Sequence, residues 1–481
     1  MKDNRWTVWN MISKLREVPV GVKASVSYVL ANFLSSGIAY LTTPLYTRLL
    51  TDVEYGRTSL FLTWFNIFGI IAMFRLDAGV FNNGMVDYPE KRDEYSFSML
   101  ILSNIITIAF SIVFLPLFSF SKQIDGLDMP TAVLMCMLFL FQPAYTFWNT
   151  RHRYEYKYKK PLLFSLIATI VPTAITIILL LFTSINRVYS RLFGYYGTLV
   201  LFYIVFYVHT GVKNQWRINT SYWKHALKFN LPLIPHYLSL YILSSSDKIM
   251  ISKYVGEAST AYYSVAYTIA AIALTVWSAI NGSLIPYTYE KCKQKEYGSI
   301  NQVAMPMLFF FLLVCGGIVL VAPEALSILA PAEYSDALSV VPPVIGGVFF
   351  QVQYSLFANV LYYYKRPKYV MFGSIISASL NLLLNYIFIP KYGYQAAGYT
   401  TLICYIIQAT LDYIGMKIAI KETIYDIKAI ILLSVTVIVI SLIAVSTYPY
   451  PVIRYVLIFI IFLGLFFSRK RFFLLYRHLK G

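Results

Sequence analysis

Residues 151–160 read RHRYEYKYKK, and residues 161–183 read PLLFSLIATIVPTAITIILLLFT. A strip with five cations is followed by 23 residues without a charge. A helix of twenty-odd apolar residues rises about 1.5 Å per residue and so matches a hydrocarbon core about 30 Å thick. The strip in front of it belongs on the side of the membrane that retains Lys and Arg. Its last three residues with the proline, Tyr158-Lys159-Lys160-Pro161, recur as Tyr364-Lys365-Arg366-Pro367, again ahead of a long apolar run.

Working outward, about fourteen apolar stretches of spanning length follow one another. They lie near 24–46, 57–80, 96–118, 129–150, 161–183, 190–210, 228–250, 259–285, 302–322, 338–362, 368–390, 395–416, 427–446 and 451–468. Of the 40 Lys and Arg, about 30 fall in every second gap and about nine in the gaps between. Arg75 is the exception, near the end of a stretch. The basic gaps, from Lys2–Lys23 to the tail Arg469–Lys480, are therefore cytoplasmic. The gap with Glu324, Glu333 and Asp336 has no cation and lies outside. Both termini are expected in the cytoplasm, with an even number of crossings.

Charged residues make up 13% and hydrophobic residues 58%, where a soluble domain carries about 25% charged residues. The mean hydropathy is +0.62. A net charge of +18 raises the question of nucleic acid, but these cations sit in short strips beside membrane segments. Retention in the cytoplasm and contact with anionic lipid explain them, and no nucleic-acid partner is expected. The first 20 residues are polar and basic, without the apolar run of a cleavable signal peptide. Trp6, Val8, Trp9, Ile12 and Leu15 suit a helix lying in the interface. The four cysteines, Cys136, Cys292, Cys315 and Cys404, have no metal or disulfide spacing, and no cofactor is expected. Apart from the tail, no gap exceeds roughly 20 residues, which leaves no room for a soluble catalytic domain.

The offset of 206 between the two Tyr-basic-basic-Pro segments is nearly repeated by Arg48–Asp52 against Lys253–Glu257. In each, a short polar link joins the first stretch of a half to the second. Six crossings per half make the halves parallel repeats, related by an axis along the membrane normal. The expected fold is all-α and integral to the membrane, with two six-helix bundles facing a central cavity and two further C-terminal helices. The expected boundaries are a basic segment 1–23, lobes 24–212 and 213–420, and a C-terminal part 421–481. Such lobes favour transport by alternating access.

Several motifs stand in order along the chain. Thr43-Pro44-Leu45-Tyr46-Thr47-Arg48-Leu49-Leu50-Thr51 precedes Glu54-Tyr55-Gly56. Phe229-Asn230-Leu231-Pro232-Leu233-Ile234-Pro235-His236 is followed by Ser245-Ser246-Asp247-Lys248 and Ala261-Tyr262-Tyr263-Ser264-Val265-Ala266. Asn381-Leu382-Leu383-Leu384-Asn385 leads to Ile389-Pro390-Lys391-Tyr392-Gly393. Together these resemble the polysaccharide transporter family of bacterial oligosaccharide flippases, related to the multidrug exporters. Gln395 and Ala261 stand where that family often has Gly. The resemblance implies a non-enzymatic flippase in the bacterial inner membrane. Its cargo would be a polyprenyl-diphosphate-linked sugar unit for O-antigen, capsule or exopolysaccharide assembly. Polymerase and chain-length proteins of the same pathway would be partners, and proton or sodium coupling would be open.

An ionisable group in a span costs at least about 2.5–3.5 kcal/mol, so each needs a reason. On the functional reading Arg48, Arg75, Lys248 and Lys253 attract the diphosphate, and Asp77 or Asp247 binds a coupling proton or sodium ion. On the bland reading they snorkel at helix ends or form structural ion pairs. On a helix, Arg75 and Asp77 would point roughly 200° apart, whereas Asp247 and Lys248, about 100° apart, can take different partners. Asp412 is a weaker candidate. Tyr262, Tyr263, Tyr267 and Tyr362–Tyr364 are stacking candidates for sugars, although most tyrosines suit the interfacial belt. His236 suits a helix-packing hydrogen bond better than a pH sensor. A doubly charged head moving outward gains on the order of 4–5 kcal/mol per 100 mV without any coupling ion. Alternatives are a multidrug or cation exporter, which would want a more acidic cavity, and a membrane polymerase or glycosyltransferase, which would want a large outer loop.

Overall fold

The computed structural model describes residues 20–460 and Leu463, without 78, 122, 123, 156, 184 and 185; side-chain surroundings are described from Phe33 onward, Ala39 apart. The interfacial segment around Trp6 and the tail Arg469–Lys480 lie outside the described residues.

The elements are helices, and no strand occurs among the described residues. In chain order they are α1 (Val20–Leu49), α2 (Asp52–Ala72), α3 (Gly79–Asp87) and α4 (Arg92–Ser121). Then come α5 (Met129–Tyr154), α6 (Lys159–Phe182), α7 (Arg187–Lys213) and α8 (Ser221–Asn230). These are followed by α9 (Ile234–Tyr254), α10 (Glu257–Gln294), α11 (Tyr297–Leu329) and α12 (Val341–Tyr363). The last are α13 (Pro367–Tyr392), α14 (Gln395–Ile420), α15 (Ile427–Thr447) and α16 (Pro451–Ile460). Among the described residues ten helices, α4 to α7 and α10 to α15, are long and apolar enough to cross a membrane. Each expected stretch is helical in whole or in part, and the chain is a multi-pass membrane protein.

Polar residues start several helices as their chemistry requires. Asp128 accepts from the Thr131 amide at 3.0 Å while Thr131 answers to the Asp128 amide, a capping box ahead of α5. Asp426 caps α15 through the amides of Lys428 and Ala429. The offset between the halves is visible in the helix ends, since α2 begins at Asp52 and α10 at Glu257.

The described residues form two compact units. The first holds α1 up to Thr42, Gly69–Lys122 and Asp128–Pro232. Its core joins Phe81, Phe97, Phe147, Trp148 and Phe206, with the Phe81 and Phe147 rings stacked at 4.3 Å. The second holds Thr43–Phe68, Gln123–Leu127 and the chain from Leu233. No single cut of the chain separates them: α8 belongs to the first unit, and the Thr43–Phe68 segment to the second. Within the second unit, 83% of the apolar window of the Ala332–Tyr363 segment is buried, so its hydrophobicity serves a protein core. In the first unit only 17% of the α6 window is buried, which leaves that helix for lipid.

Two expectations need correction. The stretch 57–80 is not one helix: α2 ends at Ala72, a turn follows, and α3 starts at Gly79. Phe74 and Arg75 adopt φ of 55° and 46°, a conformation non-glycine side chains rarely take. The fully buried Asn230 amide donates to the carbonyls of both, at 3.0 and 2.9 Å, and holds the turn. The stretch 228–250 likewise begins with the end of α8 and a tight turn at Leu231–Leu233 before α9.

Candidate functional site

The most concentrated polar group in the membrane-spanning part of the second unit surrounds Asp247 on α9. Asn381 and Asn385 are four apart on α13, a spacing that puts both amides on one face. Thr400 and Thr401 come from the first turns of α14, and Tyr263 from α10. Asp247 is 0% exposed. One carboxylate oxygen accepts from the Tyr263 hydroxyl at 2.5 Å and the Thr401 hydroxyl at 2.7 Å. The other accepts from the Asn385 amide at 2.6 Å. Around them, Asn381 accepts from Ser246 and Asn385 at 3.1 Å each and donates to Thr401 at 3.2 Å, while Thr400 donates to Asn385. A carboxylate out of water needs donors or a cation, and here three donors converge on it. Oxygens of one carboxylate, two amides and two hydroxyls gathered from three helices also form a hard-donor set suited to a small cation.

Lys248 takes a different partner, as adjacent helix positions allow. Its ammonium lies 5.9 Å from the centroid of the Tyr267 ring, half-buried. Lys253 is exposed in the last turn of α9 and leans on Tyr254 at 5.7 Å. Arg48 is exposed at the end of α1. Its guanidinium donates to the carbonyls of Pro44, Ile328 and Ser327 at 3.0, 3.1 and 3.3 Å. It therefore answers carbonyls in the last turn of α11 and braces itself on the Pro44 carbonyl one turn back on its own helix.

Arg75 and Asp77 do not lie on opposite helix faces. The turn after Ala72 brings them together at 3.7 Å in an ion pair, both part-exposed. His236 makes the expected helix-packing contact, 3.1 Å from the Ser374 hydroxyl. Of the tyrosines, Tyr262 donates to Asp52 at 2.9 Å and Tyr364 pairs with Tyr297 at 2.6 Å.

Asp412 stands out more than its late position suggested. It and Gln408, one turn earlier on α14, are both fully buried, with no hydrogen-bond partner for either side chain among the described residues. Gly373 leaves the room for it, since a Cβ there would sit 2.7 Å from an Asp412 oxygen.

Comparison with known proteins places this geometry. The profile of a family described as "Polysaccharide biosynthesis protein" matches residues 22–290, and that of the MatE family matches residues 232–387. A protein named for the Lsg locus of Haemophilus influenzae is 23% identical over 371 residues, covering 74% of this chain and 88% of its own. The "Probable low-salt glycan biosynthesis flippase Agl15" of Haloferax volcanii is 22% identical over 415 residues, 83% of this chain and 84% of its own. Among solved structures, the lipid II flippase MurJ in an inward closed conformation superposes with a TM-score of 0.68 at 16% identity, over 94% of this chain and 100% of that one. An inward-facing multidrug transporter of the MATE family gives 0.63 at 15%, over 80% and 94%. At such identities the structures testify to the fold.

Proposed function

The chain belongs to the polysaccharide biosynthesis protein family, and from that membership we propose that it is a flippase for polyprenyl-diphosphate-linked oligosaccharides. It moves the unit from the inner to the outer leaflet of a bacterial inner membrane by alternating access, supplying O-antigen, capsule or exopolysaccharide assembly. The observation that carries this reading is the Asp247 network. A fully buried carboxylate ringed by amide and hydroxyl donors inside a membrane-spanning bundle is expensive to maintain, and exchange of a coupling ion with substrate movement gives it a purpose. The name of the Haloferax relative supports the same direction. Asp247 is assigned to the coupling proton or sodium ion. Lys248, the next residue and directed elsewhere, is assigned to the phosphates.

The test is complementation. In a bacterial strain deleted for its own oligosaccharide flippase and supplied with the matching glycan pathway, expression is expected to restore the surface polymer. Lys248→Ala is expected to lower it about tenfold or more at equal membrane level, the worth of one charge-assisted contact to phosphate. Failure to restore polymer, together with acquired resistance to cationic drugs, would instead identify the multidrug or cation exporter.

A further inference from the structure

The cation-rich strip at residues 151–160 is one wall of a cavity in the first unit. Its volume is about 1140 Å³, comparable with ligand pockets at the large end of about 300–1,000 Å³. The ends of α5 and α7 and the starts of α4 and α6 surround it.

Its polar rim has a charge surplus. Five cations (Arg151, Lys157, Lys159, Lys160 and Lys213) face two carboxylates, Asp93 and Glu155. Arg151 bonds both acids, Lys157 holds Glu155 at 2.7 Å and Lys213 holds Asp93 at 3.2 Å. Burial would raise the Glu155 carboxyl, but the hydrogen bonds and charges of Lys157 and Arg151 outweigh it and hold it down to about 2. That acid stays ionised and occupied. Lys159 and Lys160 are exposed and have no ion pair among the described residues. His152 and His209 add two further nitrogen groups to the lining.

The opposite wall is apolar. Trp148, Phe164 and Phe206 pack edge to face, with centroids 4.8 to 5.5 Å apart. From there the lining runs to Leu163 on α6 and Val205 on α7, which are 56% and 65% exposed. Leu201 and Val208 continue that exposed surface along α7. In a bilayer the cavity therefore opens sideways to hydrocarbon while its rim meets the headgroup level.

We infer that this cavity is a docking site for a lipid with a diphosphate headgroup, taken from the leaflet on the basic side. The phosphates lie against Lys159 and Lys160, and the isoprenoid chain runs past Phe202 and Val205. A single phosphodiester would neutralise one of the three surplus charges, whereas the doubly charged diphosphate of the proposed cargo neutralises two. A soluble anion would leave the apolar wall facing water. The inference rests on the cargo proposed above and gives that cargo a first binding position, separate from the Asp247 region.

The experiment measures binding of radiolabelled farnesyl diphosphate to the full-length protein in detergent. The combined substitution Lys159→Ala and Lys160→Ala is expected to weaken it roughly thirtyfold, about fivefold for each cation near a charged headgroup. Lys159→Arg with Lys160→Arg is expected to restore it. Phe202→Ser with Val205→Ser is expected to weaken farnesyl diphosphate and leave inorganic pyrophosphate unchanged. Unaltered binding in the double alanine variant would overturn the inference. So would pyrophosphate competing as strongly as farnesyl diphosphate, or phosphatidylglycerol competing equally. The assay reads binding alone, so its failure leaves the transport reading in place, and a failure of complementation leaves this site in place.

Discussion

Alanine at Gly56 is expected to remove most of the folded protein from the membrane. Gly56 lies in the second turn of α2, against the first residue of α10. A Cβ on it would fall 2.0 Å from the Glu257 carbonyl oxygen and 2.7 Å from the carbonyl carbon. Those are backbone atoms, so no rotamer change relieves the clash, and the two helix starts would have to separate. They are also fastened to each other, by the Arg57–Glu257 ion pair at 2.6 Å and the Tyr262–Asp52 hydrogen bond at 2.9 Å. Separation strains or breaks both, and the expected loss is about 3 kcal/mol or more, at the severe end for a single methyl group. The measurement is the monodisperse yield and thermal midpoint of detergent-solubilised protein, with Gly317→Ala beside it. Nothing lies within 4 Å of a Cβ at Gly317, a mid-helix position, and alanine there is expected to be neutral or mildly stabilising. Equal midpoints for the two variants would mean that the starts of α2 and α10 are not packed as described.

Loss of the Asp247 carboxylate is the second large effect. Asp247→Ala leaves the Tyr263 hydroxyl, the Thr401 hydroxyl and the Asn385 amide without their acceptor in a site closed to water. Each stranded group costs about 1–3 kcal/mol, so this variant is expected to lose both stability and transport. Asp247→Asn separates the two. It keeps the volume and one acceptor oxygen but removes the charge, so most of the protein is expected to fold while surface polymer falls at least about tenfold, the minimum for losing a charged partner. A readout that packing alone would not move is the response of the thermal midpoint to cations. Wild type is expected to be stabilised by sodium over choline, or by acidification from pH 8 to 6, and Asp247→Asn by neither. An asparagine variant with full transport and the wild-type response would remove Asp247 from coupling.

How much of this was legible in the chain follows from what each feature depends on. Span positions follow from local composition against a fixed bilayer thickness. The repeat offset set Asp52 against Glu257 in the polar links between stretches, and each of them in fact opens a helix. The turn at Phe74 and Arg75 was not legible, because apolar periodicity continues through it and the residue that holds it, Asn230, is 155 positions away. Asn230 was visible as part of a motif, but not its partners. Asn381 and Asn385 could be seen to share a helix face, yet their convergence on Asp247 depends on how α9, α13 and α14 pack. Arg48 read as a cavity cation because charge is visible in sequence, whereas the C-terminal carbonyls of α11 beside it are not. The strip at 151–160 read as a retention signal, and its aromatic wall comes from three helices that meet only on folding.

The account stands on movement of a lipid-linked glycan across the bilayer. Purified protein should be reconstituted into vesicles bearing a fluorescently tagged polyprenyl-diphosphate oligosaccharide in the inner leaflet, and the label exposed outside followed with a membrane-impermeant quencher. Vesicles with the wild-type protein are expected to expose the label progressively, faster with an inside-negative potential, and those with Asp247→Asn at the rate of empty vesicles. Label that stays inside at the empty-vesicle rate with intact wild-type protein and the cognate glycan would contradict it.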